Sequence, residues 1–157
     1  MEPSSLITGS SKTYTHSVGL SCCFRQWRAK SHCNMLHGYA LQVEVEFEGV
    51  PDNKNWIVDF GSLKPFKAWL EDTFDHRTLV ALDDPHIDLY TQMHHLGMIN
   101  MRPVDATGCE AFSRMIFNWL NAWILGNAEY RGRVEVMKVV VREHEGNSGY
   151  TRRPDVR

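Results

Sequence analysis

Residues 37–48 read His37-Gly38-Tyr39-Ala40-Leu41-Gln42-Val43-Glu44-Val45-Glu46-Phe47-Glu48. Side chains of a strand point alternately to opposite faces, so Tyr39, Leu41, Val43, Val45 and Phe47 share one side while Gln42, Glu44, Glu46 and Glu48 share the other. A strand over 39–50 with one dry and one wet face belongs to a sheet covered on one side only, which predicts antiparallel pairing beneath a layer of helices. His37 has the parity of the apolar set and leans over the covered face, where an imidazole needs a hydrogen-bond partner or a metal. Just upstream, Ser31-His32-Cys33-Asn34-Met35-Leu36 places a thiol within four residues of it.

Working outward, residues 14–24 read as a first strand and 25–31 as a basic, aromatic connection. Asp52-Asn53-Lys54 marks a turn, and a helix starts near Ser62, a candidate cap, with Leu63, Phe66, Leu70 and Phe74 on one stripe. Residues 84–106 are broken by Pro85, Gly97 and Pro103, with a short helix over 89–96. A second helix spans 110–125, turns Phe112, Met115, Ile116, Trp119, Leu120 and Trp123 inward, and stops at Gly126-Asn127. A third strand over 134–143 sets Met137, Val139, Val141 and Glu143 on one face and Val136, Lys138, Val140 and Arg142 on the other, and 149–152 supplies a fourth. The predicted architecture is α+β: a four-stranded antiparallel sheet with two helices on one face, in the order β-β-α-α-β-β. Its free edges favour a homo-oligomer. Residues 1–12 read as a loose polar arm, and 13–157 as a single domain.

A chain of 157 residues, 43% hydrophobic, supports one domain with a full core. A formal net charge of -2 provides no basic field, which argues against a nucleic-acid partner and for a small neutral or anionic ligand. With Cys22 and Cys23 adjacent and no signal peptide read, the 4 cysteines point to a reducing compartment, the cytoplasm. No apolar run approaches the roughly 20 residues that cross a bilayer.

Several residues are candidates for chemistry. Cys33, flanked by His32 and His37, is either a buried spectator or a thiol able to act as base or nucleophile. Asp75-His76 closes the first helix as a solvated end or as an acid/base pair. Glu143 sits on the inward parity of an apolar strand, where a carboxylate needs a bidentate partner, either an Arg or the guanidine-like edge of a ligand. Glu110 suits the first turn of the second helix. Cys22, close to the end of the first strand, and His37 with one further donor would make a tetrahedral zinc site with an open position. His16, His32, His86, His94, His95 and His144 have ordinary structural explanations.

Together these pieces resemble the 6-pyruvoyl-tetrahydropterin synthase and 6-carboxy-tetrahydropterin synthase family, which has the tunnelling (T-) fold, over residues 14–150. Cys33-Asn34-Met35-Leu36-His37-Gly38-Tyr39 is similar to the family's Cys-x-x-x-His-Gly-His, with Tyr39 in place of the last histidine. Residues 56–64 resemble its strand-to-helix passage, Asp75-His76 its dyad, Thr107-Gly108-Cys109-Glu110 its Thr-x-Glu helix start, and Glu143 its pterin-anchoring glutamate. The spacing from Cys33 to His37 is closest to the bacterial 6-carboxy branch. The resemblance implies Cys33 as general base with Asp75 and His76 as relay, Glu143 gripping the pterin with Thr107 and Glu110, and Arg25 and Arg28 meeting a triphosphate. It implies 7,8-dihydroneopterin triphosphate as substrate, a hexamer, and a zinc ion polarising the side-chain oxygens. Of the family's three zinc histidines only His37 is kept. The first is replaced at or next to Cys22, leaving Cys22, Cys23, Tyr39 and His16 as substitutes or the metal weak or absent. Residues 84–106 look like an insertion.

Overall fold

The computed structural model describes residues 6–154. Its elements are β1 (Gly9–Tyr14), β2 (Leu20–Phe24), β3 (His37–Gly49), α1 (Lys64–Phe74), β4 (Arg77–Ala81), α2 (Ile87–His95), β5 (Met101–Val104), α3 (Cys109–Gly126), β6 (Val134–His144) and β7 (Asn147–Arg152). They form an α+β fold with a mixed 7-stranded sheet in the order β5-β4-β2-β3-β6-β7, and β1 pairs with β3. The expected four-stranded antiparallel sheet is corrected on two counts.

First, the strand anticipated over 14–24 is shorter: Tyr14 ends β1, a 3-10 turn covers His16–Val18, and β2 takes only Leu20–Phe24. Gly19 takes a left-handed conformation at φ 82 that an L side chain resists, which turns the chain between them. β1 then lies along residues 43–48 of β3 and β2 along residues 37–41, end to end on the same flank. The polar arm expected over 1–12 is strand from Gly9 onward, and residues 1–5 lie outside the described part. Second, β4 and β5 join in parallel, β4 to β2 and β5 to β4, each reached through a helix as parallel pairing requires. Pro103 is tolerated because β5 is the sheet's outermost strand. The stretch read as an insertion over 84–106 is thus α2 plus a sheet strand.

The dry face of β3 is as read: Leu41, Val43, Val45 and Phe47 are fully buried. α1 and α3 lie side by side over it, with Trp69 stacked on Trp119 at 4.9 Å and Phe112 meeting Phe24 edge-on at 5.0 Å. Along β6 the expected parity breaks, because Phe47 pairs with Val136 but Glu46 with Lys138, so Met137 is an extra, bulged residue. Val136 therefore joins Val139 and Val141 in the core. Ser62 does not cap α1: Asp59 caps a short 3-10 turn ahead of it by accepting from the Gly61 N–H at 2.8 Å, while the Ser62 hydroxyl meets Tyr130 at 2.6 Å.

β7 presses on the start of α3 so closely that a Cβ at Gly149 would stand 2.5 Å from the Glu110 nitrogen and 2.7 Å from the Cys109 carbonyl carbon. Gly149→Ala is expected to lower stability by about 1–3 kcal/mol, the usual cost of overpacking. Urea denaturation of the two proteins measures it, and an unchanged midpoint would contradict the contact.

Candidate functional site

Cys33 lies in a loop between β2 and β3, on a 3-10 turn (His32–Asn34) whose cap, Ser31, accepts from the Cys33 N–H. The thiol is partly buried, and the Cys33 carbonyl accepts from the Gln26 N–H at 2.9 Å. Arg25, expected to meet a triphosphate, is spent within the protein: Nε and Nη2 donate to the two oxygens of Asp84 at 2.8 and 2.7 Å, and Nη1 donates to Asn34 Oδ1 at 3.0 Å. Hydrogen bonds from Arg25 hold the Asp84 carboxyl below the usual range. Arg28 stands at the surface, stacked on Trp27 at 4.1 Å and paired with Asp83. The Thr107 hydroxyl, expected on the ligand, donates to the Arg25 carbonyl at 2.6 Å.

Beside this loop the start of β3 gathers rings and acids. His37 and Tyr39 meet edge-on at 5.4 Å, and Tyr39 reaches His144 at 6.2 Å. The Tyr39 hydroxyl is pushed above its ordinary pKa by burial first, then by the charges of Glu143, Cys33 and Cys109. Those same groups therefore share one neighbourhood. Cys109 is raised to about 12 by burial, with Glu143 and Glu110 adding to it. Glu143 lies at a second irregularity, between Arg142 and His144 in the β6–β7 pairing, the kind of bulge that re-aims a side chain. Among the described residues no Arg or Lys pairs with its carboxylate, and the neighbouring Arg142 pairs with Glu44 instead. Glu110 is exposed at the first turn of α3. Sequence reasoning missed Cys109, whose position in the Thr107–Glu110 run was its only signal.

Asp75 and His76 sit elsewhere. His76 holds a left-handed φ of 54, uncommon for a residue with a Cβ. Its Nδ1 bonds Asp75 Oδ1 at 2.7 Å, and its ring is 87% exposed beside a hollow of about 520 Å³ lined also by Cys22, Cys23 and Thr78. The His76 N–H donates to the Ser21 carbonyl, whereas Cys33 is tied to Gln26. Ser21 lies near the start of β2 and Gln26 beyond its end, so the backbones carrying the dyad and Cys33 are anchored at opposite ends of that strand.

The expected zinc donors do not converge either, and among the described residues no group of three His, Cys, Asp or Glu is placed to hold a metal. β2 pairs with β3 so that Phe24 stands opposite His37 and Cys22 opposite Tyr39. Phe24, His37 and Tyr39 form a triangle of rings with centroids 5.3, 5.4 and 6.1 Å apart, in which only His37 offers a metal donor suited to zinc. Burial pushes the Cys22 thiol up to about 12, so it resists becoming the thiolate that zinc requires. Cys23 has the opposite parity and bonds Thr78 at 3.2 Å, and His16 is committed to the Ala40 carbonyl. The expected set of Cys22, His37, Cys23, Tyr39 and His16 is therefore not a zinc site within the chain. Protein dialysed against zinc is expected to retain well under one equivalent per chain by elemental analysis. Phe24→His combined with Tyr39→His, which places three imidazoles on that triangle, is expected to raise the content toward one.

No helix among the described residues is long and apolar enough to cross a membrane. The profile of the 6-pyruvoyl tetrahydropterin synthase family matches residues 13–154. A relative from Pyrococcus abyssi is 38% identical over 58 residues, 37% of this chain and 34% of that protein. The 6-carboxy-5,6,7,8-tetrahydropterin synthase of Rickettsia typhi is 32% identical over 60 residues, 37% of this chain and 44% of that enzyme. The chain thus matches less than half the length of either curated relative. Among solved structures, an uncharacterised protein of Wolinella succinogenes superposes with a TM-score of 0.80 at 19% identity, over 96% of this chain and 100% of that one. The Plasmodium falciparum 6-pyruvoyl tetrahydropterin synthase does so with a TM-score of 0.64 at 14% identity, over 94% and 98%, a likeness of fold. Matched by the profile across nearly its whole length, the chain belongs to the 6-pyruvoyl tetrahydropterin synthase family.

Proposed function

We propose that the protein is a pterin lyase of the 6-carboxy-5,6,7,8-tetrahydropterin synthase type, acting on 7,8-dihydroneopterin triphosphate in the synthesis of deazaguanine bases such as queuosine. The observation that carries this reading is the half-buried Glu143 carboxylate, without a cationic partner among the described residues, in the same neighbourhood as Tyr39 and Cys33. A carboxylate in that state fits a flat heterocycle offering two parallel N–H donors, and the 2-amino and N3 edge of a pterin is such a group. With the ring held there, the Cys33 sulfur takes a proton from the pterin side chain and Tyr39 donates a hydrogen bond to an oxygen on it. Asp75 and His76 relay protons from a neighbouring copy, joined through the sheet edges in a homo-oligomer that the resemblance makes a hexamer. No step in this scheme runs through a metal. Incubation with 7,8-dihydroneopterin triphosphate, with acetaldehyde assayed and the pterin identified by mass spectrometry, tests it. A 6-carboxy product with acetaldehyde supports the reading, a pyruvoyl product moves the protein to the synthase reaction, and no conversion overturns catalysis.

A second reading, a pterin- or purine-binding module without turnover, is favoured by the ring triangle at Phe24, His37 and Tyr39. It requires tight pterin binding with no product, which the same assay run beside a fluorescence titration distinguishes.

A further inference from the structure

We propose that Asp84 and Arg25 form a clamp that positions the Cys33 loop, with Asn34 as the residue through which the clamp grips it. The proposal rests on the reading of Cys33 as the reacting base. Asp84 opens the segment leading into α2, is 3% exposed, and has both oxygens engaged by Arg25, one of them also accepting from the His86 N–H at 2.8 Å. Arg25 uses its remaining arm on Asn34, the immediate neighbour of Cys33, at 3.0 Å. The guanidinium fork is planar and rigid, so an Asp84 fixed at one side sets where Asn34 lies on the other. Backbone and hydroxyl bonds tighten the same joint: Gln26 N–H to the Cys33 carbonyl at 2.9 Å, and Thr107 to the Arg25 carbonyl at 2.6 Å. Asp83 adds an outer strap by accepting from Trp27 Nε1 at 3.0 Å.

A buried ion pair is weak evidence for stability, because an apolar pair of similar volume often serves as well. What an apolar pair cannot supply is direction. The chain places this directional contact next to the one thiol on the loop, and a displacement near 1 Å at a reacting group costs on the order of 100-fold in rate. Arg25 and Asp84 are therefore positioning residues that need not touch the substrate.

The test compares Asn34→Ala, Asp84→Asn and the double variant. Asn34→Ala removes the side-chain contact, leaving only the longer 3.4 Å reach of Arg25 Nη1 to the Asn34 carbonyl, and keeps the buried pair whole, so it folds even if Asp84→Asn is fragile. Each single variant is expected to lower kcat on 7,8-dihydroneopterin triphosphate by on the order of 100-fold, with KM nearly unchanged. The double variant is expected to lose little more than the worse single one, since both cut the same line. Iodoacetamide labelling of Cys33, followed by peptide mass mapping, should change several-fold in rate in both single variants and by similar factors. An unchanged labelling rate and kcat in Asn34→Ala, or additive losses in the double variant, would overturn the clamp. The labelling needs no turnover, so if Cys33 is not the base, activity fails to follow Cys33→Ala while the labelling still reports whether the clamp sets the loop.

Discussion

Cys33→Ala is expected to abolish useful turnover, with kcat lower by roughly 100- to 10,000-fold, the range for removing a positioned general base. Affinity for the pterin should stay within about tenfold, or about 1.4 kcal/mol. The two effects separate because the loop is held by bonds that do not involve sulfur, from Arg25 to Asn34 and from Gln26 to the Cys33 carbonyl. A group that acts only in the transition state lowers kcat and kcat/KM together and leaves ground-state binding alone. Steady-state assays and a fluorescence titration measure both, and a variant that turns over normally removes Cys33 from the mechanism.

Glu143→Gln is expected to act the other way, weakening pterin binding by about 100-fold. Hydrogen bonds to a charged group contribute about 1.5–3 kcal/mol each, and two parallel ones to a carboxylate make Glu143 the main orienting contact. An amide of the same shape keeps one acceptor and turns its other end into a donor facing a donor. Stability should hardly change, because among the described residues no cation pairs with the carboxylate. The rise should appear in KM with kcat largely retained, and a rise below threefold would remove Glu143 as the anchor.

β3 was legible in the sequence because one of its faces is wet, so hydrophobicity alternates along it. β4 could not be seen that way: Thr78, Leu79, Val80 and Ala81 are all buried, which erases the alternation. β5 has 4 residues, one of them Pro103, too short a run for periodicity. Reading 14–24 as one strand and 1–12 as an arm overlooked that Gly19 turns the chain between two segments, β1 and β2, each amphipathic by itself. Parity put Tyr39 and Glu143 each on the apolar side of its own strand, but it carried neither the pairing of β3 with β6 nor the bulge at Met137 that shifts their register. It could not place His76, whose separation from Cys33 depends on which ends of β2 their backbones reach, a tertiary fact. Nor could it identify Phe24 as the residue facing His37, because the intervening loop hides the register of that hairpin.

The two short strands that share β3 in tandem leave the chain with separable tracts. The six residues from Gly9 to Tyr14 lie along the far half, and the rings at 24, 37 and 39 lie along the near half. A lineage can therefore remodel how the far tract meets its surroundings without disturbing the groups around Cys33. Substitutions among the rings at 24, 37 and 39 can likewise proceed without loosening the far end.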